Sequence, residues 1–187
     1  MKIVGILLAA GSGSRFGGGK LLHRLADGTP MGVASLRKLH AALSEVHAVV
    51  RSGDNTLRMR LEAEGVPVHD CPDAMLGMAH SFVCGIDASR DADGWVIALG
   101  DMPYVLQKTI KMVAVRIEQT GRIAIPAYRG KWGHPVGFGR RYLNELLKLQ
   151  GDEGARSVIA RHPGELETVD CDDRGILRDI DTLEDLE

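Results

Sequence analysis

A glycine-rich segment with two basic residues follows the first apolar run of the chain. Residues 11–19 contain five glycines, and Arg15 and Lys20 stand in and just after this segment. Glycine lets backbone N–H groups come close to an anion, and the two basic side chains add positive charge. The combination predicts a phosphate-binding loop. The alternative is a glycine-rich surface turn whose basic residues are incidental.

Two familiar phosphate-binding motifs do not fit this loop. The dinucleotide fingerprint requires glycine where the chain has Phe16, and no acidic partner follows a second strand at the usual distance. The P-loop requires glycine where the chain has Ser14, and serine or threonine where it has Leu21. The loop therefore belongs to another class of phosphate site.

Asp101 follows a second apolar run, Trp95 to Leu99. If that run is a buried parallel strand, Asp101 lies at its carboxyl end, where open α/β sheets bind ligands. A carboxylate there can hold Mg²⁺, which prefers oxygen ligands and often bridges substrate phosphates. The alternative is that Asp101 caps a helix that follows Pro103.

Two further aspartates lie near the end of the chain, in the run Asp179-Ile180-Asp181. On an extended segment they point to the same side, so either could supply a second metal ligand. Asp179 is the first choice and Asp181 the alternative. A competing interpretation is that Thr182 and Asp185 form the capping box of a short last helix.

Strand and helix patterns alternate along the chain, which predicts a mainly parallel sheet covered by helices on both faces. A single domain spanning 1–187 is the simplest organisation. Asp152 is a plausible N-cap of the last predicted helix. The predicted strands are 3–8, 46–50, 66–69, 95–99, 122–127, 134–139, 166–169 and 177–180, and the predicted helices are 30–44, 55–64, 79–88, 106–119, 140–149 and 153–161.

The motifs together resemble those of the MobA-like NTP transferases. The glycine loop reads Leu8-Ala9-Ala10-Gly11-x-Gly13-x-Arg15-x-Gly17-x-x-Lys20, and Gly100-Asp101-x-Pro103 is similar to the family's metal-binding element. Three more segments fit the family: 77–82, with Phe82 as a departure, and the runs 133–138 and 149–156, which resemble the molybdenum cofactor cytidylyltransferase (MocA-like) branch. Phe16, in place of a frequent methionine, is another departure.

The resemblance implies a fold, a site and a reaction. The fold is a three-layer α/β/α Rossmann-like nucleotidyltransferase fold. Catalysis is assigned to Arg15, Lys20 and Asp101, and the metal to Asp101 with Asp179, or Asp181 as the alternative. The nucleotide-binding residues carried over from the family are Leu8, Ala9, Ala10, Gly11, Gly13, Ser14, Arg15, Lys20, Gly77 and Ser81.

The implied reaction is in-line attack of a phosphate-bearing acceptor on the α-phosphate of an NTP, with Mg²⁺ bridging the reactants and pyrophosphate leaving. Molybdopterin is the implied acceptor, with handover to a molybdoenzyme or its chaperone. Ala10 favours CTP, because family members that use guanine tend to have glycine there. His134 and Arg156 are weaker candidates for acceptor binding. The alternatives are a histidine satisfied by the backbone and a solvated arginine.

Other functions remain open at this stage. They are a guanylyltransferase or sugar-phosphate nucleotidyltransferase of the same superfamily, and a non-catalytic nucleotide- or cofactor-binding accessory protein. The formal net charge of −2 provides no basic field for nucleic acid or an anionic membrane. Cys71, Cys84 and Cys171 lie far apart in sequence, which indicates reduced thiols and a cytoplasmic protein.

Overall fold

The computed structural model describes residues 1–11, 13, 16–152 and 154–186, and within them an eight-stranded sheet. The sheet order is β3-β2-β1-β4-β7-β5-β6, and β8 pairs with β5. The strands are β1 (Ile3–Ala9), β2 (Glu45–Arg51), β3 (Val68–Cys71), β4 (Gly94–Leu99), β5 (Ile123–Tyr128), β6 (Lys131–Trp132), β7 (Val136–Gly139) and β8 (Leu166–Asp170).

Most strands of the sheet run in one direction. β1 is parallel to both β2 and β4, β2 is parallel to β3, and β5 is parallel to β8. The exceptions are β7, which is antiparallel to β4 and β5, and β6, which forms a short hairpin with β5. The predicted mainly parallel sheet is confirmed.

Helices cover both faces of the sheet. They are α1 (Met31–Ala42), α2 (Asn55–Glu62), α3 (Met78–Asp87), α4 (Gln107–Thr120), α5 (Leu143–Leu146) and α6 (Arg156–Arg161). Side chains of α1, α2 and α4 pack in one apolar cluster, and those of α3, α5 and α6 pack in the other. Alternate residues of β1 enter the two clusters, with Leu7 in the first and Ile6 in the second. The three-layer α/β/α fold is therefore confirmed.

Several element predictions were wrong in detail. Residues 177–180 form no strand: a 3₁₀ turn, Arg174–Leu177, begins after Asp173, and residues 178–181 belong to no helix or strand. Ile180 is fully buried, so its apolar side chain, which suggested a strand, reflects packing in the core. The N-cap of α6 is Ala155 rather than Asp152, because this helix begins later than predicted. Among the described residues, no helix combines the length and apolar character needed to span a membrane.

Candidate active site

The glycine loop and Asp101 leave the sheet at the same edge. Leu8 of β1 is in register with Leu99 of β4, and the Gly100 N–H donates a hydrogen bond of 3.0 Å to the Leu8 carbonyl. Both strands are buried and parallel, so their carboxyl ends coincide. The segments that follow them lie side by side at the edge where α/β sheets bind ligands.

Lys20 connects the loop to two carboxylates. Its ammonium Nζ donates a hydrogen bond of 2.8 Å to Asp101 Oδ2 and another of 2.8 Å to Asp181 Oδ1. The Lys20 side chain is 9% exposed, whereas those of Asp101 and Asp181 are 26% and 39% exposed. Burial by itself would lower the pKa of Lys20, but the hydrogen bonds to Asp101 and Asp181 outweigh it and raise this pKa above 10.5. The ammonium therefore stays charged at neutral pH.

The end of the chain places Asp181 in this cluster. The Ile180 N–H donates to the Asp101 carbonyl at 3.0 Å, which fixes the segment against the end of β4. Asp185 Oδ2 then accepts hydrogen bonds from the N–H groups of Asp181 and Thr182 and from the Thr182 hydroxyl, at 3.0, 2.7 and 2.9 Å. A final 3₁₀ turn spans Leu183–Leu186. The capping interaction predicted from sequence thus holds the segment in which Asp181 meets Lys20.

A cavity of about 390 Å³ opens beside this cluster. It is large enough for part of a nucleotide, since small-molecule pockets commonly measure ~300–1,000 Å³. The predicted site residues that line it are Leu8, Ala10, Gly11, Gly13, Lys20, Gly77, Ser81 and Asp101. The structure therefore brings together at one cavity most of the described residues that the sequence motifs singled out.

The remaining predicted site residues either do not line the cavity or are not described by the structure. Ser14 and Arg15 lie outside the described residues. Ala9 is not part of the cavity wall, because its side chain packs in the apolar cluster beneath α1. Asp179 and Asp181 do not line the cavity themselves; Asp179 is exposed, whereas Asp181, the alternative, shares with Asp101 the ammonium of Lys20, which does line it. His134 and Arg156 do not line the cavity either.

Further charged residues of the wall were missed at the sequence level. Arg51 ends β2, Asp54 caps α2 by accepting the Leu57 N–H at 3.2 Å, and Asp152 precedes α6. Arg51 donates to the Met75 sulfur at 3.6 Å. A signal did exist for Arg51, because it directly follows an apolar strand next to β1 and therefore reaches the same edge.

The outer rim of the cavity depends on Gly77. Its φ of 130° lies in a region that residues with a side chain rarely adopt, and a Cβ there would lie 2.3 Å from the Gly151 carbonyl oxygen. The Ala79 N–H donates to the same carbonyl at 3.0 Å. The start of α3 and the segment around Gly151 are thus closely joined, and both Gly77 and Asp152 face the cavity.

His134 lies near the acidic cluster. Its backbone N–H donates to the Ile176 carbonyl at 3.0 Å, but its buried ring Nδ1 has no hydrogen-bond partner among the described residues. Burial lowers the pKa of His134, and Arg156 lowers it further, whereas Asp101 and Asp179 raise it. The imidazole is therefore neutral at neutral pH. Arg156, at the start of α6, is exposed and close enough to act on this ring electrostatically.

The structure gives no support to Asp101 as a helix cap. Helix α4 begins at Gln107, and it is Asp173 that accepts the Leu106 N–H at 2.9 Å and the Thr109 hydroxyl at 2.6 Å. Asp173 is 2% exposed and also accepts the Gly175 N–H at 2.9 Å. Because Asp173 caps α4, the Asp101 carboxylate does not serve as a cap. It lines the cavity and accepts a hydrogen bond from Lys20 instead.

The donor set fits a divalent cation that arrives with phosphate. Asp101, in the cavity wall, and Asp181, beside it, bring carboxylate oxygens to the same ammonium of Lys20. Within the part of the chain that the structure describes, no group of three or more histidine, cysteine or acidic side chains is arranged to hold a metal. Mg²⁺ commonly takes one or two carboxylates and completes its shell with water and substrate phosphates.

Comparison with known proteins identifies the family to which this geometry belongs. The MobA-like NTP transferase domain matches residues 5–166. The purine catabolism protein PucB of Bacillus subtilis is 31% identical, and the alignment covers 98% of this chain and 93% of PucB. Nicotine blue oxidoreductase of Paenarthrobacter nicotinovorans is 28% identical, with 98% and 94% covered.

Solved structures are similar over the whole chain. Rv0371c of Mycobacterium tuberculosis superposes with a TM-score of 0.84 at 26% identity, with 99% of this chain and 95% of that chain covered. Its complex with manganese superposes with a TM-score of 0.79, also at 26% identity, with 99% and 96% covered. A divalent metal has therefore been observed in a protein of this fold.

Proposed function

The chain belongs to the MobA-like NTP transferase family and is a nucleotidyltransferase, and from this premise we propose that it transfers CMP from CTP to a phosphate-bearing acceptor, with molybdopterin as the acceptor. The reaction depends on Mg²⁺ and releases pyrophosphate. The nucleotide occupies the cavity of about 390 Å³ at the carboxyl edge of the sheet.

The observation that carries this proposal is the contact of Lys20 with Asp101 and Asp181. A cation from the glycine loop meets two carboxylates from distant segments, and Lys20 and Asp101 of this group line the cavity. Nucleotidyl transfer needs these two kinds of group at one place, because a triphosphate must be neutralised from both sides. A passive nucleotide binder has less need of the paired carboxylates.

Each residue then has a role that follows from its charge and position. Backbone N–H groups of the glycine loop receive the phosphates, and Lys20 and Arg15 stabilise the negative charge of the departing pyrophosphate. Asp101 and Asp181 hold Mg²⁺, which supplies charge neutralisation at the reacting phosphate when bound. A phosphate monoester acceptor is already an anion near neutral pH, so its own oxygen serves as nucleophile and no side-chain base is required.

The preference for CTP rests on Ala10. This residue is 5% exposed and lines the cavity, where its methyl group leaves less room for a purine than glycine would. One methyl group in a pocket is worth about 1–3 kcal/mol, so we expect a preference rather than complete exclusion of GTP.

The acceptor is proposed from two segments and their placement. Residues 133–138 and 149–156 resemble the molybdenum cofactor cytidylyltransferase branch, and they contain His134 and Arg156, which act on each other electrostatically. The names of PucB and nicotine blue oxidoreductase refer to purine catabolism and to nicotine blue, and neither names molybdopterin. The proposed acceptor therefore rests on these two segments. Transfer of the product to a molybdoenzyme or its chaperone would follow.

The proposal is tested by measuring pyrophosphate release with each of the four NTPs, with and without molybdopterin, in Mg²⁺ and in EDTA. Release should require both CTP and molybdopterin and should stop in EDTA. Greater activity with GTP would identify a guanylyltransferase instead. Nucleotide binding without pyrophosphate release under any condition would identify an accessory protein and contradict the proposal.

A further inference from the structure

The Lys20 ammonium occupies the space between the two carboxylates that we assign to the metal. Nζ is 2.8 Å from Asp101 Oδ2 and 2.8 Å from Asp181 Oδ1, and the side chain is 9% exposed. An ammonium in this position offsets one of the two negative charges, where a divalent cation would offset both. Two cations placed this close to the same oxygens repel each other strongly. The metal and the ammonium therefore compete for Asp101 and Asp181.

We propose that Lys20 is a movable counter-ion, which pairs Asp101 with Asp181 until nucleotide arrives and then passes to the triphosphate as a divalent cation takes its place. The inference rests on the proposed function, because it assumes that NTP and metal bind in this cavity. Its consequence is an order of binding: free metal binds weakly, and the cation enters together with the nucleotide.

Lys20 lines the cavity, and its flexible side chain can turn towards bound phosphate while the backbone stays in place. The side-chain stem packs tightly against the loop, since a Cβ built on Gly13 would lie 2.8 Å from Lys20 Cβ. Beyond that point the side chain has several rotatable bonds. Gly11, Gly13 and Gly19 line the same cavity, so phosphates held by this loop would lie within reach of the ammonium.

The balance of charge explains why metal and nucleotide would bind together. The two carboxylates and the ammonium carry a net charge of −1, which a divalent cation in place of the ammonium brings to zero. Displacement by metal alone would leave a mostly buried ammonium without a partner, which is unfavourable. A bound triphosphate provides new partners for it. Metal and nucleotide thus increase each other's affinity.

The test compares Mn²⁺ binding without nucleotide in the wild type, Lys20→Met and Arg51→Met, by calorimetry and by the electron paramagnetic resonance of free Mn²⁺. Lys20→Met should bind Mn²⁺ more tightly than the wild type, by about 5–150-fold, the usual range for such coupling. Arg51→Met controls for the loss of one positive charge, because Arg51 lines the same cavity and donates to the Met75 sulfur. Its Mn²⁺ affinity should stay within about twofold of the wild type.

Equal or weaker Mn²⁺ binding by Lys20→Met would overturn the proposal, and so would an equal gain in Arg51→Met, because the effect would then be one of general charge. Lys20→Gln, which is neutral but still able to hydrogen-bond, replaces Lys20→Met if the latter does not fold.

A crystal structure of the wild type with Mn²⁺ and a non-hydrolysable CTP analogue provides a second readout. Lys20 Nζ is expected on phosphate oxygens, and Nζ still bonded to both Asp101 and Asp181 would overturn the counter-ion role.

The two proposals can fail separately. If the wild type transfers no nucleotide but Lys20→Met still gains Mn²⁺ affinity, the proposed function fails and the competition between Lys20 and metal stands. If the wild type transfers CMP and Lys20→Met shows no gain, the proposed function stands and the counter-ion role fails.

Discussion

The Lys20 ammonium and the Asp101 carboxylate, 81 residues apart in the chain, are joined by a hydrogen bond of 2.8 Å. The contact exists because β1 and β4 are parallel neighbours in register, so the segments that follow them emerge together. It brings the glycine loop and the acidic group into one site, and the following predictions depend on it.

Asp181 should matter more than Asp179 for metal binding. Asp181→Asn is expected to weaken Mn²⁺ binding, measured with a non-hydrolysable NTP analogue present. Loss of a residue that merely supports a metal ligand typically costs about 10–100-fold in affinity, so loss of a ligand should cost at least as much. Asp179→Asn is the matched control, since Asp179 is exposed and is not one of the two carboxylates bonded to Lys20. A larger effect of Asp179→Asn would reverse the assignment.

Ala10→Gly should shift the nucleotide preference towards GTP. Removal of a methyl group that lines the cavity makes room for a purine, and the expected change in the ratio of kcat/KM for CTP to that for GTP is about tenfold or more. Ala9→Gly is the control, because the Ala9 methyl packs in the core. An unchanged ratio in Ala10→Gly would remove the structural basis for the preference for CTP.

His134→Ala should raise the KM for the acceptor by about three- to tenfold, the equivalent of one hydrogen bond, and leave the KM for CTP unchanged. The buried ring Nδ1 has no partner among the described residues, so an acceptor group that reaches the ring would gain a hydrogen bond there. Burial holds the pKa of His134 below 6.5, so the ring is neutral above that pH. The wild-type KM should not vary between pH 7 and 8.5 through this residue. Steady-state kinetics measure both constants, and a raised KM for CTP with an unchanged KM for the acceptor would contradict the role of His134 in acceptor binding.

Asp173 should contribute to stability rather than to catalysis. Asp173→Ala removes the acceptor for the Leu106 N–H and the Thr109 hydroxyl at the start of α4. Buried donors left unsatisfied cost about 1–3 kcal/mol, which should appear as a lower free energy of unfolding in urea titrations. Asp172→Ala, at an exposed neighbour, should stay within about 0.5 kcal/mol of the wild type. Equal stability of the two variants would show that Asp173 is not needed as a cap.

The sheet and the position of Asp101 could be predicted because they depend on strong local signals. The runs around Leu8 and Leu99 are almost wholly apolar, as strands buried on both faces must be, and parallel strands place their carboxyl ends at one edge. The glycine loop after the first run was an equally clear signal, because glycines beside basic residues are typical of a phosphate-binding loop. The fold class and the meeting of Lys20 with Asp101 followed from these signals.

Contacts that depend on tertiary structure could not be predicted in the same way. Strand-like alternation predicted that Asp179 and Asp181 lie on the same side, with Asp179 slightly preferred, but the segment is held by the Ile180 bond to Asp101 and by Asp185 rather than by a ladder. Alternation gives the side of a strand on which two residues lie, not which of them reaches a distant lysine. The cap of α4 is likewise non-local, since Asp173 lies 67 residues after Leu106.

The central claim is that Lys20 and the acidic pair act together on a nucleoside triphosphate, and it is tested most directly by following α-labelled CTP into the acceptor. Purified wild-type protein with Mg²⁺ and molybdopterin should yield a labelled acceptor with one pyrophosphate released per transfer. Lys20→Ala should fold normally by circular dichroism and lose about 10²–10³-fold in rate. Lys2→Ala, which removes a partly exposed lysine that pairs with Glu45 and Asp91, should keep wild-type activity. A labelled acceptor formed by Lys20→Ala at the wild-type rate would contradict the account.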